Sequence, residues 1–298
     1  MNELSIYNQH NLLYNQEKLS RYRPGGYHPV SLGDSFKDGR YKVHHKLGWG
    51  GYSTVWLAND TECDEWVAIK ILTAERSEDT KELEILQLLR ERSKDLPGAK
   101  YIVHLLDHFF HSGPNGNHQC LVFELLGPCV ESLVKEYSEC ENGFEPETIL
   151  RIADQLLEGV SAIHDAGLVH GDLSTWNIAF TTSHLSKMNV DGILAVIGTP
   201  IVEDLIRLDG KPLDLSLPKH LVKAASWDDW LDEDEEDIRI IDFGESFPKN
   251  TRVESLAQPG QLRVPETVFV GSFDYRVDLW RVGCIVGYLR TPWKRTSG

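Results

Sequence analysis

The chain is poor in cysteine, in methionine and in long apolar runs, and each shortage excludes a class of protein. Its 298 residues include two methionines and five cysteines, namely Cys63, Cys120, Cys129, Cys140 and Cys284. An odd number of cysteines without a CxxC pair argues against a disulfide framework and a structural zinc site. No apolar run approaches the roughly 20 residues of a membrane span, and the N-terminus lacks the apolar core of a secretory signal. We expect a soluble intracellular protein, with no membrane partner, in the cytoplasm or the nucleus.

Positive charge is also scarce. Lysine and arginine number 30 against 46 acidic residues, so the formal net charge is −16. A protein that binds nucleic acid needs a basic face, so we expect no direct nucleic-acid partner. Solubility alone explains such a charge, and the same charge also suits a cationic partner. The length, with 41% hydrophobic residues, is typical of a globular chain of two domains.

The order of the patterns predicts an α+β fold, with strands first and helices later. Residues 1–40 are polar and turn-rich, which indicates an extended, mostly irregular lead-in. Short runs rich in β-branched and aromatic residues predict strands over 41–47, 53–59, 66–72, 103–110 and 120–125. The first three strands form a meander.

Two segments carry helical patterns. Acids in the first turn and arginines in the last predict a helix over residues 77–92. A longer helix starts at Pro146 and ends near Gly167. Its spacing predicts one buried face: Ile149, Ile152, Ala153, Leu156, Leu157, Val160 and Ile163. Residues 181–237 have no clear period and read as an insertion, whose last twelve residues include eight acids that we expect to stay solvated.

Two N-terminal motifs point to phosphate binding. Residues 47–55 form a glycine-rich hairpin, whose glycines allow the backbone N–H groups to approach a phosphate, although such a hairpin is more often only a tight turn. Lys70 follows on an apolar strand, where it either reaches a nucleotide phosphate or is a surface charge. Glu84, on the next helix, is a candidate partner for Lys70, and Glu82 lies on a different face.

The C-terminal motifs supply acids and an amide. Asp172 and Asn177 lie five residues apart on a loop after a short apolar strand, where the acid can accept a hydroxyl proton and the amide can hold a metal. Asp242 ends another apolar strand and is placed to bind Mg²⁺. Glu266 and Asp278 are the last two acidic residues of these C-terminal motifs.

Taken together, these motifs resemble the signature set of the protein kinases. The lead-in, the hairpin and the segments 112–116 and 122–127 look like those of the SR-protein kinases, a likeness that runs from Tyr22 to Val286. It implies a bilobal fold with ATP and Mg²⁺ as cofactors. The catalytic residues that it implies are Asp172, Lys70 and Asn177. Asn177 also binds the metal, together with Asp242. The implied ATP-binding residues are Leu47, Gly48, Trp49, Gly50, Gly51, Tyr52, Ser53, Thr54, Val55, Ala68, Lys70, Glu84, Phe123, Glu124 and Leu126. Glu266 is then a structural acid, and Asp278 ties its helix to the catalytic loop.

The resemblance also implies boundaries and an activity. It places the lead-in at 1–40, the N-lobe at 41–126, an incomplete C-lobe at 127–290 with the insertion 181–237, and a tail at 291–298. It implies a serine/threonine kinase for Arg/Ser-rich protein substrates, and we expect the protein to be a monomer.

Three departures keep other functions open. Gly171 replaces the catalytic-loop arginine, which predicts no switch by phosphorylation. Ser174 replaces a phosphate-binding lysine, and we expect the C-lobe to lack the last helices that the resemblance implies. The alternatives are an ATP-binding pseudokinase that acts as a binding module, and a small-molecule phosphotransferase.

Overall fold

The computed structural model describes residues 3–139, 143–182, 184–227, 230, 236–257, 262–269 and 271–290. Its helices are α1 (Leu12–Asn15), α2 (Ala74–Asp79), α3 (Glu82–Ser93), α4 (Val130–Glu139), α5 (Pro146–Asp165), α6 (Val190–Ile197), α7 (Glu266–Phe269) and α8 (Arg276–Leu289). Its strands are β1 (Ser35–Phe36), β2 (Tyr41–Trp49), β3 (Ser53–Asp60), β4 (Glu65–Leu72), β5 (Leu105–Gly113), β6 (Gly116–Glu124), β7 (Leu168–Val169), β8 (Ile178–Phe180), β9 (Val202–Asp204), β10 (His220–Val222), β11 (Ile238–Ile240) and β12 (Phe247–Pro248).

The contacts divide the chain into two compact units. The sheet unit comprises Met1–Thr80, Leu105–Leu125 and Ser183–Trp230. The helical unit comprises Lys81–His104, Leu126–Thr182 and Leu231–Gly298. A strand-rich unit and a helix-rich unit confirm the predicted α+β class.

The sheet unit is built on a six-stranded antiparallel sheet in the order β1-β2-β3-β4-β6-β5. The predicted meander is confirmed as β2, β3 and β4, because its apolar runs are separated by tight turns. One face of the six-stranded sheet is a buried core that includes Trp56, Ile69 and Val122, each 2% exposed or less.

The lead-in is mostly irregular as predicted, but the prediction that it is extended is wrong. It forms the turns Glu3–Ile6 and Leu19–Arg21 and the helix α1. Its apolar side chains pack in a second core with Leu205 and Leu221. Both leucines belong to residues 181–237, the stretch predicted as an irregular insertion. That stretch contains α6 and the pair β9–β10. The two segments are ordered by burying apolar area against each other, a contact that no local pattern reveals.

The helical unit is centred on α5, which begins at Pro146 and ends before Gly167 as predicted. Its predicted face is buried except for Ala153, which is half-buried, and Leu157, which is 50% exposed. The prediction was wrong for Leu157 because neighbours in a helix point about 100° apart, and Leu156 occupies the buried position. The single helix predicted over residues 77–92 is also wrong, because extended backbone at Thr80 separates α2 from α3.

The structure tests the remaining predictions only in part, because several of them concern residues that it does not describe. The expectation that residues 226–237 stay solvated is wrong for Glu236, which is 4% exposed and accepts a hydrogen bond from Thr181. Residues 228–229 and 231–235, Cys140 and the tail 291–298 lie outside the described residues. The four described cysteines carry free thiols. Among the described residues, no helix combines the length and the hydropathy needed to cross a bilayer.

Candidate active site

The glycine-rich hairpin connects β2 to β3 in the sheet unit. Gly48 lies opposite Val55, and the Gly50 N–H donates to the Ser53 carbonyl at 2.9 Å. A Cβ atom added to Gly48, Gly50 or Gly51 would meet no heavy atom within 4 Å. The hairpin therefore presents an open backbone surface, which is what close approach to a phosphate requires.

Four residues that the resemblance assigns to nucleotide binding share one face of this sheet. Lys70 pairs with Val55, and Ala68 pairs with Phe123. Opposite residues on antiparallel strands, and residues two apart on one strand, point to the same face. All four side chains are half-buried, whereas the alternate residues of β4 are buried in the core. This face combines a cation with apolar surface, the combination that an adenine nucleotide needs.

Two residues of the lead-in hold the hairpin, and sequence analysis missed both. The Tyr27 hydroxyl donates to the Gly50 carbonyl at 2.5 Å, and the Arg21 guanidinium donates to the Gly51 carbonyl at 2.5 Å. The Arg21 guanidinium also lies 5.4 Å from the centre of the Tyr27 ring. No motif signals these contacts, because they join residues 23 and 30 positions apart.

In the helical unit, two strand pairs bring the catalytic-loop motif and the Asp242 motif together. Strand β7 pairs with β12, and β8 pairs with β11. Residues 170–177 connect β7 to β8, and residues 241–246 connect β11 to β12, so the two loops lie side by side. The His170 ring bridges them: its Nδ1 accepts from the Asp172 N–H at 3.2 Å, and its Nε2 donates to the Ile241 carbonyl at 3.0 Å.

Asp172 lies between a cation and a carboxylate, with its side chain 28% exposed. Its Oδ1 is 3.4 Å from an Arg281 guanidinium nitrogen. Burial raises the pKa of the Asp172 carboxyl above its ordinary value, and the charge of Asp242 acts in the same direction, while Arg281 and His170 oppose them. A carboxylate with a raised pKa is a stronger proton acceptor, as a general base requires.

The residues predicted to hold a metal fit a magnesium ion by their chemistry. The Asn177 amide nitrogen donates to the Asp172 carbonyl at 2.7 Å, which leaves the amide oxygen available as a ligand. Asp242 raises the pKa of Asp172, so the two carboxylates repel each other, and a divalent cation would relieve that repulsion. Oxygen ligands with one or two carboxylates are what Mg²⁺ prefers. In the described ranges, no three His, Cys, Asp or Glu residues form a metal-binding group.

The predicted role of Asp278 is confirmed by its hydrogen bonds. The carboxylate is fully buried and accepts the backbone N–H groups of His170 at 2.8 Å and Gly171 at 3.0 Å. It thus ties α8 to the catalytic loop. One buried carboxylate oxygen of Glu266 has no hydrogen-bond partner among the residues that the structure describes, and its structural role stays a prediction.

The first turn of helix α3 carries one exposed and one buried carboxylate. Glu84 is exposed, whereas Glu82 is 3% exposed, and the two lie on different faces as expected. The pairing of Glu84 with Lys70 stays a prediction. Glu124 ends β6 and Leu126 follows one residue later, where their predicted backbone contacts with adenine also stay untested.

The structure explains why the catalytic loop has glycine instead of arginine. Gly171 has a φ angle of +79°, and a Cβ atom there would lie 2.5 Å from the Glu245 carbonyl oxygen. No side chain fits this position without moving the backbone. Ser174 is 8% exposed and precedes the short helical turn Thr175–Asn177.

Comparison with known proteins identifies the family. A model described as the protein kinase domain matches residues 41–189, half of the chain. Protein kinase dsk1 of Schizosaccharomyces pombe is 42% identical over 55% of this chain and 30% of its own. Serine/threonine-protein kinase SKY1 of Saccharomyces cerevisiae is 38% identical over 61% of this chain and 25% of its own.

A third relative and a solved structure extend the match. Serine/threonine-protein kinase SRPK of Physarum polycephalum is 31% identical over 92% of this chain and 66% of its own. The chain thus spans between a quarter and two thirds of the length of these relatives. A crystal structure of a kinase domain has a TM-score of 0.63 at 22% identity and covers 90% of this chain and 70% of that one, which shows the same fold. The chain therefore belongs to the protein kinase family, and its relatives there are kinases of the SR-protein kinase type.

Proposed function

We propose that this protein is a serine/threonine kinase that transfers the γ-phosphoryl group of ATP to serine in Arg/Ser-rich proteins. The observation that carries the proposal is the catalytic loop, where the raised pKa of Asp172 and the bound amide of Asn177 occur beside Asp242. A proton acceptor next to oxygen ligands for Mg²⁺ is the arrangement that phosphoryl transfer to a hydroxyl requires. The relatives named above are kinases, which supports the same reaction class.

Each group then has a defined task. The N–H groups of the hairpin 47–55 bind the phosphates, and Lys70 orients them. Ala68 and Phe123 offer apolar surface to adenine. Asp172 accepts the proton of the substrate hydroxyl, and Asn177 with Asp242 holds Mg²⁺, which neutralises phosphate charge when bound. In this proposal, residues 41–126 form the N-lobe and residues 127–290 the C-lobe, with 181–237 inserted.

The proposed substrate class follows from charge. A chain with net charge −16 attracts an arginine-rich segment and repels an acidic one. We place the protein in the cytoplasm or the nucleus, where splicing-factor-type substrates would be met, and we propose that it acts as a monomer.

The test is transfer of radiolabelled phosphate from ATP to an Arg/Ser-repeat peptide, with a Glu/Ser-repeat peptide as the charge control. Asp172→Asn removes the proton acceptor with little change in shape, and the rate should fall about 10²- to 10⁴-fold. Asp154→Asn, at an exposed position on α5, is the matched control and should leave the rate unchanged. Equal rates for Asp172→Asn and the wild type would refute the assignment.

Ser174 favours one second candidate, an ATP-binding protein without transferase activity. A cation aimed at the transferring phosphate contributes several kcal/mol to catalysis, and the buried Ser174 offers none. Under this reading, Mg-ATP raises the unfolding temperature of the wild type but no peptide becomes labelled. Labelling that depends on Asp172 excludes it.

A further inference from the structure

Arg281 on α8 connects three parts of the helical unit. One guanidinium nitrogen donates to the Gly171 carbonyl at 2.7 Å and lies 3.4 Å from the Asp172 carboxylate. The other terminal nitrogen donates to the Ala257 carbonyl, fifteen residues after Asp242 in the chain. The side chain is fully buried. A single cation therefore bridges the catalytic loop and the segment that follows the Asp242 motif.

A buried guanidinium is costly unless carboxylates and carbonyls surround it. Burial lowers the pKa of Arg281, and the negative charges of Asp172 and Asp278 oppose that effect. Arginine nevertheless stays protonated in proteins, so this cation is permanent. Its planar fork reaches two sites at once, which lysine cannot match.

Arg281 brings a positive charge to the catalytic loop, where Gly171 stands in place of an arginine. The catalytic loop has no room for a side chain at Gly171, because a Cβ atom would collide with the Glu245 carbonyl. A guanidinium reaches the same loop from α8 and contacts the carbonyl of Gly171 itself. A cation that is itself fully buried and bound to two backbone carbonyls needs no phosphate group to hold it.

We propose that Arg281 is a positioning residue that locks Asp172 and the chain at Ala257 into one arrangement without phosphorylation. The proposal rests on the proposed kinase function for its effect on rate. The hydrogen bond from Arg281 to the Ala257 carbonyl does not depend on the kinase function, and we expect it in the protein without nucleotide.

The kinetic test compares Arg281→Gln with Arg276→Gln. Both residues lie on α8, but Arg276 is 59% exposed and pairs with Asp274. Arg281→Gln should lower kcat for the Arg/Ser-repeat peptide about 10- to 100-fold, since a misplaced acceptor loses that much, with KM for ATP within threefold of the wild type. Arg281→Lys should recover part of the loss, because it restores the charge without the fork. A kcat for Arg281→Gln equal to that of Arg276→Gln overturns the proposal.

Hydrogen exchange separates this proposal from the kinase function. In the full chain without nucleotide, amides near residues 170–173 and 253–257 should exchange at least tenfold faster in Arg281→Gln than in Arg276→Gln. If the wild type transfers no phosphate, the kinase function fails and this measurement still decides the role of Arg281. If Arg281→Gln does not fold, Arg281→Lys should show faster exchange at 253–257 alone, because one nitrogen no longer reaches two sites. Unchanged exchange in both variants overturns the proposal.

Discussion

Replacing Lys46 by methionine should destabilise the sheet unit by about 3–5 kcal/mol, the usual cost of removing one partner from a buried ion pair. The Lys46 ammonium is fully buried and contacts the Glu17 carboxylate, which is 2% exposed. The Tyr22 hydroxyl donates to the same carboxylate at 2.6 Å. Burial lowers the pKa of Lys46, and Glu17 opposes that shift, so each charge depends on the other.

The double variant Lys46→Met with Glu17→Gln isolates the interaction. It removes both charges, and glutamine still accepts a hydrogen bond from Tyr22. Since a neutral replacement of a buried pair is often harmless, its unfolding free energy should lie within about 2 kcal/mol of the wild type. The assay is urea denaturation followed by hydrogen exchange in residues 41–60, which reports on the sheet unit. A cost below about 1 kcal/mol for Lys46→Met, or equal costs for the single and double variants, would refute the reasoning.

Three further outcomes are expected. Burial and two neighbouring histidines lower the pKa of His28 from 6.5 to about 3, so stability should be complete above about pH 6.5 and fall by up to ~1.4 kcal/mol per pH unit toward pH 3. Urea midpoints at pH 7 and pH 5 measure this, and an equal loss in His28→Asn would count against it. Gly171→Ala should lower stability by about 1–3 kcal/mol in thermal unfolding and also reduce kcat, because of its positive φ and the close carbonyl oxygen. An unchanged unfolding temperature would contradict that. Tyr27→Phe should raise KM for ATP about two- to tenfold and leave kcat unchanged, because it removes one hydrogen bond to the hairpin. The control Arg23→Gln should change neither KM nor kcat.

The parts of the fold that sequence predicted are those fixed by local patterns. Strands β2 to β4 follow one another through tight turns, so alternation and turn residues locate them. Helix α5 has Pro146 at its start and a regular apolar spacing, so its span was predictable from its own residues. In each case the information lies within one continuous stretch of chain, Tyr41–Leu72 for the strands and Pro146–Asp165 for the helix.

The parts that sequence missed depend on residues far apart in the chain. The lead-in is ordered by a core shared with Leu205 and Leu221, nearly two hundred residues away. Its polar composition hides this because the burial involves a few apolar residues scattered among polar ones. Thr80 interrupts the predicted helix with extended backbone, although the charge pattern continues through it. Charge at helix ends contributes only tenths of a kcal/mol, too little to keep a helix continuous.

The candidate site divides in the same way. The motifs located the hairpin, the catalytic loop and Asp242, because each is a short run with a defined chemistry. The contact of Arg281 with Asp172 could not be predicted from the sequence, since the two residues lie 109 positions apart. Burial, which sequence does not show, also separates Glu82 from Glu84.

Gly171 and Arg281 depend on each other through α8. Asp278 accepts the N–H of Gly171 at 3.0 Å, and Arg281 donates to its carbonyl at 2.7 Å. The two α8 residues are three positions apart and so lie on one face of the helix, which binds both polar groups of a single peptide residue. A side chain at Gly171 would push the loop off this face, and loss of Arg281 would release it. Since either change frees the same loop, the effect of both together on kcat should be smaller than the product of the two separate effects.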